Sequence, residues 1–576
     1  MTKPILDRAI FHERTGPFLI DVLIFGGVMA GFYGLLMIAQ TWFGPFRPTV
    51  AISRNPWTLP AYAGYSLLRM LLAYGLSLLF SIVYGYIAAY NAKAERFMIP
   101  LLDILQSIPV LSFLPGVVLA MVALFPSHQF GLELGSILLI FTGQVWNMTF
   151  SFYASLKGIP QELREAARVY RFNGWQCFTQ LELPYAAIGL IWNSMMSVAG
   201  GWFFLMACEM FVLGERDFRL PGLGSYLQTA ASAGDTRAIA WGLGAMISII
   251  VLLDQLLWRP VIAWAEKFKL EQVESGRVPR PAVLRFLRRS SVLTYLKRRA
   301  FDPGSERLGL YFARHADRPA TSLPLSAWRI WRDRILVFVL LAAVGYGITR
   351  GGLMLTGLTR PEIAEIVRGT GATLLRVMAA LFIGAAWTIP AGVAIGFNPR
   401  LARVAQPLAQ IAASVPATAL FPVVLLVLIH AGGGLGIGSV VLMLLGTQWY
   451  ILFNVIAGAM AIPNDLKEAT SVFRLGNADR WRRLILPGIF PHLITGLVTA
   501  AGGAWNASIV AEYFHFKGQI LMTTGLGATI SQATDKGNFD LLLAATIVMS
   551  IMVVMINRLV WRRFYRLAET RFKLET

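Results

Sequence analysis

Apolar residues in this chain gather into long blocks separated by short polar connections. The blocks fall at about 17–43, 61–91, 98–125, 132–157, 186–213 and 238–264, then at about 335–357, 369–397, 405–430, 435–460, 489–511 and 541–561. A helix needs roughly 20 apolar residues to cross a bilayer, so the pattern predicts six spans, an interruption and six more. Residues 265–334 form the interruption. They hold sixteen Lys/Arg against seven Asp/Glu, with Pro and Gly breaks and short amphipathic pieces such as Val283–Leu296. The simplest reading is a basic linker that lies on the inner membrane surface and joins two halves, 1–264 and 335–576.

The halves repeat each other. At an offset of 307, Ser66-Leu-Leu-Arg69 matches Thr373-Leu-Leu-Arg376, Asn91 matches Asn398, and Ser107-Ile-Pro109 matches Ser414-Val-Pro416. After a four-residue deletion the offset is 303. Trp146 then pairs with Trp449, Glu165-Ala166 with Glu468-Ala469, Leu183-Pro184 with Leu486-Pro487, Glu209 with Glu512, and Gly222-Leu-Gly224 with Gly525-Leu-Gly527. An even number of spans per copy gives both halves one orientation, related by an axis along the membrane normal. The expected pathway runs between them.

Composition agrees with a membrane protein and excludes a soluble enzyme: 56% of residues are apolar, 14% are charged, and mean hydropathy is +0.60. The net charge of +20 changes the picture only through where it sits. Lys93, Arg96, Arg400 and Arg403 lie in short connections on one predicted side, whereas Gly214–Arg237 and His515–Asp540 carry almost no net charge. Positive charge marks the cytoplasmic side, so both termini are expected in the cytoplasm, and Met1–Gly16 leads into a retained first span. The basic residues face lipid headgroups and imply no nucleic acid. Two cysteines and six scattered histidines give neither a disulfide framework nor a metal-ligand pattern. There is no G-x-x-x-x-G-K-[ST] loop to cradle a nucleotide.

Two polar stretches on the predicted inner side carry the most information. They are IPQELREAARVYRFNGWQCFTQLELP at 159–184 and IPNDLKEATSVFRLGNADRWRRLILP at 462–487. Each predicts a short helix opening at Pro, a break at Asn173-Gly174 or Gly476-Asn477, and a second helix stopping at Leu-Pro. They resemble the EAA loop of binding-protein-dependent ABC importer permeases: Glu-Ala-Ala, a Gly six residues after the Glu, and Leu-Pro ending nineteen after it. Glu165-Ala166-Ala167 and Glu468-Ala469-Thr470 supply the start, and Pro184 and Pro487 keep the spacing. The Gly position departs, holding Arg171 and Arg474, with glycines later at Gly174 and Gly476.

The resemblance implies an all-α polytopic fold of two tandem six-helix type I importer halves in a bacterial inner membrane. It implies that each loop is a coupling helix docked in a groove of a separate ATP-binding subunit. Glu165 and Glu468 would anchor the loops, and Tyr170, Phe172, Phe473 and Leu475 would be buried against that subunit. ATP and magnesium would be held by the two partner subunits, with no cofactor in this chain, and an extracytoplasmic binding protein would deliver the substrate. The span 2 and 3 motifs look most like the nitrate, sulfonate and taurine branch. Iron and thiamine importers also have fused permeases, so a metal or vitamin cargo is the alternative, and an ion-coupled secondary transporter is a further one.

Pathway candidates are the ionisable and helix-breaking residues of the spans. Arg69 and Arg376 face Glu209 and Glu512 either as braces within each half or as anion contacts at the outer gate. Pro109 and Pro416 break span 3 beside Ser107 and Ser414. In span 4, Gln144, Trp146 and Asn147 of one copy and Trp449 of the other are placed toward the central space.

Overall fold

The computed structural model describes residues 51–125, 129–213, 216–268, 351–430, 434–516 and 519–571, with scattered positions between 299 and 349. The first predicted span, most of the basic linker, much of the span expected at 335–357 and both chain ends lie outside the described residues.

The first half runs α1 (Leu59–Tyr90), a broken pair α2 (Ala92–Ser107) and α3 (Leu114–Leu124), α4 (Phe130–Lys157), the short α5 (Gln161–Val169) and the long α6 (Gly174–Glu209). A hairpin of β1 (Val212–Leu213) and β2 (Arg216–Asp217), α7 (Leu223–Ser232) and α8 (Thr236–Ala265) complete it. The second half repeats that order: α9 (Arg360–Phe397), α10 (Pro399–Ser414), α11 (Ala417–His430), α12 (Leu435–Ala461), α13 (Asn464–Val472) and α14 (Asn477–Ala511). It ends with β3 (Tyr513–Phe516), β4 (Gln519–Met522), α15 (Leu526–Lys536) and α16 (Phe539–Ala568). Both hairpins are antiparallel, with Val212 opposite Asp217 and Tyr513 opposite Met522.

Sequence chemistry explains the recurrence. Asn91 and Asn398 are N-caps: each side-chain oxygen accepts two backbone N–H bonds, from Lys93 and Ala94 and from Arg400 and Leu401. Breaks follow at Pro109 and Pro416, because a proline drives the residue before it into an extended conformation; Ile108 and Val415 sit at ψ 124° and 116°. The second break bends α10 against α11 by 87°. Pro115 opens α3 within its first turn, and Pro422 lies inside α11.

The Leu-Pro stops expected at Pro184 and Pro487 are not stops. Helices α6 and α14 run through them, each widened just before the proline into a π-helical turn, Cys177–Glu182 and Trp481–Ile485. Leu183 and Leu486 donate five residues back, to Phe178 and Trp481. A proline has no N–H to donate and its ring must clear the preceding turn, and the wider turn accommodates both.

Helix α4 packs between α1 and α6, as α12 does between α9 and α14. Seven described helices are long and apolar enough to cross a membrane, or eight if bent α10–α11 is one span. Leu79, Leu375 and Phe382 stand out from the bundle as exposed apolar side chains, which a lipid surface accepts and water does not.

Candidate functional site

Helices α5 and α13 are the segments whose sequences resemble EAA loops, and both end in a left-handed arginine and a six-residue closing bond. In α5 the Phe172 N–H donates to Ala167 O at 2.9 Å and the Arg171 N–H to Arg168 O at 3.0 Å. That paired closure is a Schellman cap, which needs a left-handed residue after the helix. Arg171 takes it, at φ 52°. In α13 the Leu475 N–H donates to Thr470 O at 3.0 Å, and Arg474 sits at φ 49°. The arginines therefore occupy the position where the loop pattern carries Gly, in the conformation that a Gly would adopt freely.

This cap turns apolar side chains outward. Val169 and Tyr170 of the first tip are 79% and 76% exposed, and Val472 and Phe473 of the second 76% and 77%. Phe172 and Leu475 are half-buried, Ala167 and Thr470 buried, Ala166 and Ala469 half-buried, and Gly174 and Gly476 exposed. Glu165 and Glu468 are exposed; Glu165 accepts a bond from Gln161 Nε2 at 2.8 Å. The tie to the spans is Arg164, which sequence reasoning missed: its Nη2 donates to Leu156 O at 2.6 Å. Tyr185 Oη adds a bond to Gly158 O at 2.8 Å. Lys467 lies at the position of Arg164, over the Phe397 ring, where burial and then Arg480 lower its pKa from the usual lysine value.

On the face opposite these loops, each half is knotted around an arginine. Arg69 is fully buried, and its Nη1 donates to Glu209 Oε1 at 2.7 Å and to Pro221 O at 2.8 Å. Glu209 also receives Ser66 Oγ at 2.7 Å and the Gly224 N–H at 2.7 Å. Arg376 and Glu512 repeat the arrangement, with Nη1 to Oε1 at 2.8 Å. The Gly-Leu-Gly repeat is explained here: a Cβ at Gly222 or Gly525 would stand 2.3 or 2.1 Å from the glutamate carboxyl. Sequence pairing found both Arg–Glu contacts. It missed Glu133, which grips Arg69 Nε and Nη2 at 2.5 and 2.7 Å; an acid within an apolar block was the available signal.

Between the halves, at the same level, lies a cavity of about 370 Å³. Phe211, Arg219 and Gln228 line it from the first half, and Tyr513, His515 and Asp535 from the second. Asp535 Oδ2 accepts from Tyr513 Oη at 2.7 Å and lies 3.3 Å from His515 Nε2. At the repeat offset these three positions hold Met210, Val212 and Ser232 in the first half, so the cavity is asymmetric.

The residues expected on a central pathway do not line this cavity. Among the cavity's lining there is none of Pro109, Ser414, Pro416, Gln144, Trp146, Asn147 or Trp449. Gln144 is buried with its Nε2 2.9 Å from Met70 Sδ, Trp449 packs edge-on to Trp387, and Ser414 Oγ bonds back to Gln410 O at 2.8 Å. Nor do Arg69, Arg376, Glu209 and Glu512 reach the cavity, and the Ser107 side chain is outside the described set. Tyr450 does cross: an added Cβ at Gly200 of α6 would come within 3.0 Å of its Oη.

The profile of the binding-protein-dependent transport system inner membrane component matches this chain twice, over residues 81–257 and 388–573. The chain belongs to that family. The two matches coincide with the two structural repeats, so the permease is a duplicated, all-α, multi-pass membrane protein. Similar curated proteins include the trimethylamine N-oxide transport system permease of Pelagibacter ubique, 28% identical over 259 residues, or 44% of this chain and 30% of that one. The taurine transport system permease of Escherichia coli is 27% identical over 197 residues, covering 34% and 67%. A nitrate import permease of Leptolyngbya laminosa is 25% identical over 189 residues, covering 33% and 64%.

Proposed function

We propose that this permease forms the membrane pathway of an ATP-driven importer for a small oxyanion such as nitrate or a sulfonate. Two separate ATP-binding subunits, which hold ATP and magnesium, dock on α5 and α13. An extracytoplasmic binding protein delivers solute to the opposite face, and both chain ends and the basic linker lie on the cytoplasmic side. The observation that carries the reading is the matched pair of coupling tips. An exposed Val-Tyr and an exposed Val-Phe at symmetric helix ends, beyond the membrane spans, are apolar surfaces that water disfavours and a protein groove covers. The anion class rests on the Ser/Thr-Leu-Leu-Arg and Ser-x-Pro motifs and on the names of the taurine and nitrate relatives.

The test is uptake into proteoliposomes holding the permease, its ATP-binding subunits and its binding protein. Labelled nitrate or taurine accumulates with ATP and stops when the binding protein is omitted. Uptake by the permease alone under an ion gradient would contradict the reading.

A further inference from the structure

The duplication provides a comparison inside one chain. Around Arg69 and Arg376 the bonds match in pairs. Nη1 donates to a glutamate and to a main-chain oxygen, Pro221 in one half and Thr524 in the other. Ser66 and Thr373 hold that glutamate and accept the N–H of Leu223 and Leu526. The halves part at one edge of the guanidinium.

In the first half that edge is taken side-on by Glu133, through Nε at 2.5 Å and Nη2 at 2.7 Å. The two helix starts read Gly131-Leu-Glu133-Leu-Gly135-Ser136 and Gly434-Leu-Gly436-Ile-Gly438-Ser439, so Gly436 stands where Glu133 would. No second carboxylate reaches Arg376 among the described residues. Its Nη2 donates to Thr523 Oγ1 at 2.9 Å, and its side chain is 16% exposed where Arg69 is 0%. There is room at the vacated place: a Cβ on Gly436 would meet Thr523 Oγ1 at 3.8 Å and nothing nearer.

We propose that the Nε/Nη2 edge of Arg376 binds an oxyanion in the position that Glu133 holds in the first half. A guanidinium presents parallel donors along that edge, spaced for two oxygens of one group. Charge makes the same demand. The first cluster has one cation and two carboxylates, the second one cation and one carboxylate, and a bound monoanion equalises them. The Thr523 hydroxyl, which accepts from Nη2, keeps its own hydrogen for the same anion. Nitrate and sulfonate have this chemistry, and so does a lipid headgroup phosphate. The free-anion form rests on the importer reading above, since it gives the transported class a contact on the face where solute arrives.

The test uses the full permease in phosphatidylcholine nanodiscs, with its unfolding temperature followed against nitrate, methanesulfonate and, as a monatomic control, chloride. The wild type is expected to gain stability with the two oxyanions and not with chloride. Gly436→Glu installs the missing carboxylate and is expected to fold at least as stably while its apparent oxyanion affinity falls by about tenfold or more. Gly436→Ala leaves the edge open and keeps the response, which separates charge from bulk. A rise that appears only with phosphatidylglycerol discs and is lost in Gly436→Glu assigns the edge to a headgroup phosphate. An absent response in both lipids, or a Gly436→Glu response equal to wild type, overturns the proposal. ATP-driven uptake measured in parallel separates the two readings: uptake without the binding response sinks this inference alone, and binding without uptake sinks the importer reading.

Discussion

Arg171 and Arg474 show how one residue reports on a loop. A side chain with a Cβ costs about 1 kcal/mol or more in the left-handed region, and two independent positions adopt it here. The Schellman closure requires it, so the loops hold their shape against a local preference. Arg171→Gly is therefore expected to leave thermal stability unchanged or slightly raised, strain relief being offset by glycine's larger entropy loss. Arg171→Val, branched at Cβ, lowers it by about 1–2 kcal/mol. Thermal unfolding of the two variants in nanodiscs checks this; equal effects would show that the cap opens readily. At this scale much was legible. The repeat and the opposite directions of spans 2 and 5 offered Arg69 with Glu209 and Arg376 with Glu512 as braces, beside the alternative of anion contacts at the outer gate, because charges in apolar surroundings tend to meet a partner. Glu133 has no counterpart in the second half, so a search by repetition passed over it.

Helices α5 and α13 are short, and isolated helices of about nine residues are marginal in water. Something beyond their own hydrogen bonds must fix them. In α5 this is the charged bond from Arg164 to the last turn of α4, a class worth about 1.5–3 kcal/mol when intact. Arg164→Ala is expected to speed amide exchange across residues 161–172 by about tenfold or more, with exchange in α1 and α4 unchanged. A uniform increase over the whole half would instead mean that Arg164 supports the bundle. Apolar blocks located the elements well, since spans must satisfy their backbone internally and therefore appear as helices. The Leu-Pro ends were misread as stops because proline ends a helix in water, where the freed groups are solvated. Within α6 and α14 a π-helical turn resolves the conflict, and apolar periodicity carries no sign of such a turn.

The whole molecule divides along its duplication. Within each half the clusters of Arg69 and Arg376 fasten the ends of three or four elements by bonds mostly of 2.5–2.9 Å. Between halves the polar contacts to oxygen are longer: Leu111 N to Asn506 Oδ1, Thr546 Oγ1 to Ser112 O and Gln410 Nε2 to Asp254 Oδ1 at 3.4 Å, and Gln228 Nε2 to His515 O at 3.5 Å, although Gln410 Nε2 also lies 2.7 Å from Met195 Sδ. Bonds near the limit of useful geometry are cheap to exchange. The halves thus form two braced bodies joined mostly by such longer contacts, with a cavity along the seam, and each carries one exposed apolar tip. The repeat made this division readable from sequence. The cavity was not readable, because much of its polar lining comes from positions where the copies differ, such as Met210 and Tyr513 or Ser232 and Asp535.

The proposed importer function turns on the two tips meeting separate ATP-binding subunits. The direct measurement is affinity purification of the tagged permease in mild detergent from its native host, beside a Glu165→Arg/Glu468→Arg variant that reverses charge on both loops. An ATP-binding subunit is expected to be recovered with the wild type and lost by at least about tenfold from the variant, with thermal stability of the permease unchanged. Recovery of the same subunit with both proteins, or of none with either, would contradict the proposed function.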